Sequence, residues 1–348
     1  MVSWAVSSAI GRAAARGSYR VRPCCDPGGT PGVLDPLPAP LQARLLDLRA
    51  ALDAVVPAKQ LDRNLLVATW NLRAFGGLTE SWRSEPGDSP RRDLFDVRCI
   101  AEVVSRFDVA ALQEVRGNLT ALRALLAVLG PQWAAIMTDV TRGRAGNDER
   151  MAFVFDLRRV KPSGLAGELV VAIEAGTSVG AEDLGRQFAR TPYAVSFSAG
   201  DAALTLVTLH VLYGEETERA KELREIARWL AEWARHDRDW NQNLIALGDF
   251  NIDRRGDPLF EAFTSTGLVP APGLDEVPRT IFATGEEAKF YDQIAWFVDP
   301  RRGPMLGLEW LSSGSFDFVP LLQGGSTKTT LSWKASDHYP LWVEFSGR

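Results

Sequence analysis

The feature that most constrains this chain is a series of short apolar runs rich in Val, Ile, Phe and Trp, at 65–70, 109–113, 133–138, 151–156, 194–197, 204–209, 243–247, 293–298 and 341–345. Runs of this length and composition read as strands, whereas helices need longer stretches with a period of about 3.6 residues. Three such helical stretches lie among them. Residues 91–106 place Leu94, Val97, Ile100, Ala101 and Val104 on one face. A second helix, with Asn118 as its cap, carries Leu119, Leu122, Leu125, Leu126 and Leu129 and stops at Gly130. The third, 215–235, aligns Leu223, Ile226, Ala227, Leu230 and Trp233. Many strands, few helices and no repeat of 20–50 residues predict an α/β four-layer sandwich, two mixed sheets packed face to face with helices outside.

The N-terminal part is organised differently. Its apolar piece, 4–10, precedes its arginines, the reverse of a secretory signal, so neither a signal nor a membrane anchor is expected. Six prolines and three glycines in 23–40 cannot bury enough apolar surface to order themselves, and a mobile leader over 1–40 is expected. Leu41, Leu45, Leu48, Leu52 and Val55 form a helical stripe ending near Pro57, expected to pack as an amphipathic helix (41–60) on a main domain over 61–348.

Charge and cysteine content narrow the class. The chain has 39 Lys and Arg against 44 Asp and Glu; seven of those cations and four of those anions lie in 1–60, leaving 32 against 40 in the main domain. An acidic body does not coat nucleic acid through bulk electrostatics, so any polyanionic substrate must be gripped locally. No apolar run approaches the roughly 18–20 residues of a membrane-spanning helix. Cys24 and Cys25 are adjacent and Cys99 is solitary, which offers no disulfide framework or zinc spacing and makes a cytoplasmic location the expectation. No obligate protein partner is indicated.

Several strands end in polar residues. Asn71 follows Trp70, Glu114 follows Gln113, His210 ends Thr208-Leu209-His210, Asp249 and Asn251 lie in Gly248-Asp249-Phe250-Asn251, and Ser336-Asp337-His338 precedes the last strand. Side chains at strand ends project from a rigid edge and can converge on one point. Glu114, Asp249, Asn251 and Asp337 are oxygen donors of the kind hard divalent cations choose. Histidine titrates near neutrality and can both take and give a proton. Two of the three histidines fall in these motifs; His236, at the polar end of a helix, reads as a surface residue.

The order WN, QE, TLH, GDFN, YDQI, SDH resembles that of the endonuclease/exonuclease/phosphatase superfamily from about residue 65 to the C-terminus. Gln113-Glu114-Val115-Arg116, Glu149-Arg150, Phe188-Ala189-Arg190-Thr191-Pro192 and Ser336-Asp337-His338-Tyr339-Pro340 are most similar to its deoxyribonuclease I branch. The resemblance implies phosphoester cleavage with a divalent metal, usually Mg²⁺ and with Mn²⁺ possible, at the crest of the sandwich. It implies Glu114 as the principal metal ligand, with Asn71 beside it and Asp337 near a second metal position. Asp249 and Asn251 correspond to the pair that orients the attacking water and the phosphate oxygens. His338 is similar to the histidine that contacts the scissile phosphate, oriented by Asp292, and His210 to the second catalytic histidine, partnered by Glu149. Arg116 and Arg190 match arginines that contact the substrate backbone, and a guanidinium suits phosphate oxygens.

This chain departs from the branch at Asn147, where a tyrosine stands two residues before the glutamate, and at Thr191, where an acid follows the arginine. Contacts that read a DNA groove are therefore not carried over. Arg73, Arg142, Arg144, Arg254 and Arg255 are read as loop residues that can widen a cationic rim, and 76–90, with Trp82 and Arg83, as a loop able to stack on a base, close as a lid or stay an ordinary surface loop. The expected substrate is DNA or RNA. A small phosphorylated compound such as an inositol phosphate, lipid head group or nucleotide is the alternative, and a non-catalytic binding module on the same fold is the third reading.

Overall fold

The computed structural model describes residues 30–141, 147–169, 188, 190–235, 243–282 and 288–347. The chain divides into Met1–Thr30 and Pro31–Arg348, and the description below concerns the second unit. Residues 1–29 of the expected leader, with Cys24 and Cys25, and Arg142, Arg144 and His236 lie outside the described residues.

Strands β1 (Asn64–Phe75), β2 (Val109–Arg116), β3 (Trp133–Met137), β4 (Glu149–Asp156), β12 (Trp310–Ser315) and β13 (Leu341–Ser346) form one sheet in the order β12-β13-β1-β2-β4-β3. The second sheet runs β11-β10-β8-β7-β6-β5, from β5 (Lys161–Glu168), β6 (Tyr193–Ala199), β7 (Ala202–His210), β8 (Leu244–Asp249), β10 (Asp292–Asp299) and β11 (Gly303–Pro304), with β9 (Leu268–Pro270) paired to β10. Both sheets are mixed: β1–β2 and β7–β8 are parallel, whereas β1–β13, β2–β4 and β8–β10 are antiparallel.

The runs are continuously apolar because both faces of each central strand are buried. On β1, Leu66, Ala68 and Trp70 enter a core shared with helices α1 (Ala39–Val55), α2 (Leu94–Val104) and α3 (Thr120–Leu129), whereas Leu65 and Val67 point into the core between the sheets. On the second sheet, Leu206 and Ile245 meet that middle core. Val207 and Ala246 pack outward under α4 (Glu216–Ala234) and α5 (Pro258–Thr264). Period-2 alternation on two stacked sheets thus produces three cores and four layers. Short helices α6 (Val319–Leu322) and α7 (Lys328–Lys334) precede β13.

Two sequence expectations are adjusted. The first central helix starts at Leu94 because Asp93 and Asp96 form a reciprocal capping box. Asn118 lies one residue before the cap of α3, and its Oδ1 instead accepts from the Thr120 amide (3.0 Å) and hydroxyl (2.7 Å). Trp82 is half-buried against the first core with the Arg98 guanidinium 6.0 Å from its ring.

Candidate active site

Strand register builds the centre of the site. His210 pairs with Asp249 across β7–β8, and Asp249 with Asp292 across β8–β10. Three adjacent strands therefore carry an imidazole and two carboxylates at one level. The facing sheet supplies the rest through a double irregularity. The β1–β2 register shifts between Asn71 and Phe75, the β2–β4 register shifts between Leu112 and Val115, and Arg73, Ala74 and Glu114 all have positive φ. A bulge re-aims the side chain it carries, and left-handed backbone at non-glycine residues collects at functional sites. The Glu114 carboxylate turned out in this way is anchored by the Ala74 amide at 2.8 Å.

Of the eleven site residues expected from the sequence, eight line one cavity of about 450 Å³. The other three, Asn71, Arg116 and Asp292, touch its lining. Asn71 Nδ2 donates to Glu114 (3.1 Å) and to Asp249 (3.0 Å), bridging the sheets. Its Oδ1 accepts from the Arg73 amide at 3.1 Å and keeps a second lone pair. Arg116 lies 3.3 Å from Glu149 and 3.9 Å from Glu114. Asp292 is fully buried and lies 2.6 Å from His338 Nδ1.

The two histidines are arranged alike. His338 has Nδ1 on Asp292 and Nε2 3.8 Å from Asp249; His210 has Nδ1 3.2 Å from Glu149 and Nε2 3.7 Å from the same Asp249 oxygen. Asp249 is the shared centre. Burial works against ionisation of its carboxylate, but the two imidazoles and the Asn251 amide outweigh it and hold its pKa below the usual range. Glu149 is likewise held low, burial being overcome by His210, Arg190 and Arg116. Burial lowers the His338 pKa, yet Asp292 and Asp249 together hold it well above the ordinary histidine value. Asp292 is pushed up to about 6, chiefly by burial. Asp337 is raised by burial and by Glu114 nearby.

Asp249, Asp292 and His338 place ligand-type atoms within 4.8 Å of one another, a group able to bind a metal ion. His338 Nδ1 and Asp292 are already committed to each other, however. The partly exposed carboxylates of Glu114 and Asp337, both facing the cavity, better match the oxygen preference of a hard cation.

Among the arginines, Arg73 departs from expectation, whereas Arg254 and Arg255 lie in a loop as expected. Arg73 was expected in a loop but ends β1, pairing with Asp337 at 3.0 Å beneath the exposed Trp333 ring. Arg190 is buried, its Nε 2.7 Å from Glu149. Arg254 is exposed, and Arg255 pairs with Asp275 at 2.8 Å on the surface.

Several positioning residues lie outside the eleven site residues expected from the sequence. Buried Arg92 donates to the carbonyls of Leu72, Arg73, Ala74, Lys334 and Ala335, tying the end of β1 to the Ser336-Asp337-His338 segment. Gln113 Nε2 donates to Thr69 and Thr208, one on each sheet. Trp70 Nε1 donates to the His338 carbonyl, and Arg219 fastens the Asn251 carbonyl at 2.7 Å. Trp70 and Gln113 belong to the WN and QE motifs and are findable on that ground; nothing local marks Arg92 or Arg219.

No protein-family model matches the chain. Deoxyribonuclease-1 of Sus scrofa is 28% identical over 323 residues, covering 86% of this chain and 98% of that protein. Among solved structures, an endonuclease/exonuclease/phosphatase from Bacteroides vulgatus is similar at a TM-score of 0.53 and 16% identity, over 82% of this chain and 99% of its own. The mannosyl-6-phosphatase of Bacteroides thetaiotaomicron VPI-5482 is similar at 0.51 and 19%, over 81% and 99%. Motif order, sheet architecture and these likenesses agree, and the chain has the deoxyribonuclease I-like fold of the endonuclease/exonuclease/phosphatase superfamily.

Proposed function

We propose that this protein is a metal-dependent phosphodiesterase, a nuclease hydrolysing DNA or RNA by in-line attack of water. The observation that carries the reading is the convergence of two carboxylate–imidazole pairs on Asp249, beside the cavity-facing Glu114 and Asp337. Its likeness to deoxyribonuclease-1 supports it.

Glu114 and Asp337 would hold the cation, Mg²⁺ by their chemistry, which when bound supplies charge neutralisation at the phosphate oxygens. Asp249, held anionic, takes the proton of the attacking water. The protonated His338 ring donates from Nε2 to a non-bridging phosphate oxygen as negative charge builds there. Asp292 fixes that ring and its proton, and Glu149 orients His210, which gives a proton to the leaving oxygen. Asn251, with its backbone turned to positive φ, steadies the Asp249 carboxylate through its amide at 2.9 Å.

Purified protein is expected to hydrolyse bis-p-nitrophenyl phosphate and DNA or RNA with added Mg²⁺, and to lose that activity in EDTA. Activity confined to phosphomonoesters would move the reading to a small-substrate phosphatase, which the acidic main domain favours. Metal binding without hydrolysis of any phosphoester would leave a binding module.

The His338–Asp292 pair also sets a pH dependence. A histidine whose pKa is raised on folding contributes stability fully present below its ordinary value, about 6.5, and lost as pH rises through the raised value. Asp292→Asn removes that contribution. The Tm gap between wild type and Asp292→Asn is therefore expected to be widest below neutral pH and to narrow as pH rises. A gap that stays constant would show that the pair carries no such coupling.

A further inference from the structure

The same cavity has a second chemical character. Tyr213, Phe282 and Tyr291 line it together with His210 and His338. Tyr291 stacks on the His338 ring, centroids 5.7 Å apart at 30°. Tyr213 is 75% and Phe282 49% exposed, and both border this cavity. Neither sits on loose backbone. Tyr213 follows β7 two residues after Val211, whose amide bonds the Asp249 carbonyl at 2.9 Å, and the Arg219 guanidinium lies 6.0 Å from its ring. Phe282 follows Ile281, whose amide donates to the Asp337 carbonyl at 2.9 Å, and Thr280 bridges to His338.

The cations around the cavity are already engaged. Arg190 and Arg116 face Glu149 at 2.7 and 3.3 Å, Lys289 faces Asp253 at 3.0 Å, and Arg73 faces Asp337 at 3.0 Å. Paired in this way, these side chains add little to the positive charge that a bound cation and the His338 ring would bring to the phosphate. A singly charged diester fits better, provided its affinity comes from uncharged contacts, and exposed rings supply those by stacking on a flat partner.

We propose that Tyr213 and Phe282 hold the nucleobase next to the scissile phosphate, so that the preferred substrate is single-stranded nucleic acid, whose bases have free faces. The proposal rests on the phosphodiesterase reading above and narrows it. In a duplex both faces of a base are covered by its neighbours, and reaching it costs unstacking.

The test compares cleavage of one oligonucleotide as a single strand, as its duplex, and as a strand of the same length with abasic sites flanking the cleaved bond. Wild type is expected to prefer the base-bearing single strand over both others. In Tyr213→Ala/Phe282→Ala the preference over the abasic strand is expected to collapse by about 5- to 100-fold, the range for loss of a base–aromatic stack, and Tyr213→Trp should retain it. An unchanged ratio in the double variant, or a wild-type preference for duplex, would overturn the assignment. Wild type that hydrolyses bis-p-nitrophenyl phosphate but no strand would overturn it and leave the phosphodiesterase standing. Wild type inactive on every diester would remove both.

Discussion

Asp249→Asn is expected to lower kcat/KM on bis-p-nitrophenyl phosphate by about 10³- to 10⁴-fold, roughly 4–5.5 kcal/mol of transition-state stabilisation. The substitution keeps the shape and removes the charge. The carboxylate accepts from Asn71 Nδ2 and the Asn251 amide, and it lies 3.7 and 3.8 Å from the two imidazoles. An amide there either keeps its oxygen toward Asn71 and the two rings and aims its N–H groups at the Asn251 amide, or does the reverse and opposes Asn71 Nδ2 and the rings. In both orientations the water loses its base, and His338 loses one of the anions that hold its proton, so its pKa falls. The measurement pairs steady-state kinetics with a thermal melt. A full rate in a well-folded variant would remove Asp249 from the centre of the mechanism, whereas a lost rate with a collapsed melt would show only a structural role.

How much of this was legible in the residues depended on what each one contacts. Eight central strands were visible because burial on both faces demands apolar runs, and the ninth, edge strand β3, because Trp133, Ile136 and Met137 keep it apolar although it is half-buried. Strand β5 was not visible. It lies at a sheet edge, its residues alternate between exposed and half-buried, and Pro162 and Gly164 give it the composition of a loop. Strand β12 escaped similarly, as an edge strand made largely of serine and glycine. The site residues were legible as a series because their order along the chain carries the resemblance, although each alone is an ordinary strand-end polar group. What could not be read was which arginine faces substrate and which faces protein. Arg92 is buried among five backbone carbonyls, while Arg254, of the same residue type, is exposed. That difference is made by the tertiary fold, and no local pattern encodes it.

Gly248→Ala is expected to cost more than about 4 kcal/mol of folding stability, among the largest effects open to a single substitution. Gly248 opposes Leu209 in the parallel β7–β8 ladder at φ +141°, and a Cβ at that position would lie 2.0 Å from the Leu209 carbonyl oxygen and 2.9 Å from its amide nitrogen. Backbone on both sides cannot yield as a flexible side chain would. Relief requires the strands to part at the level where one delivers His210 and the other Asp249, so stability and activity should fail together. Gly130→Ala separates the two causes. It too has positive φ, +93°, but nothing lies within 4 Å of its added Cβ, so it meets only the conformational penalty of about 1–3 kcal/mol. Urea midpoints of both variants measure the difference. If Gly248→Ala loses no more than Gly130→Ala, then the close approach of β7 and β8 is not what requires glycine before Asp249, and the rigidity assigned to that edge is wrong.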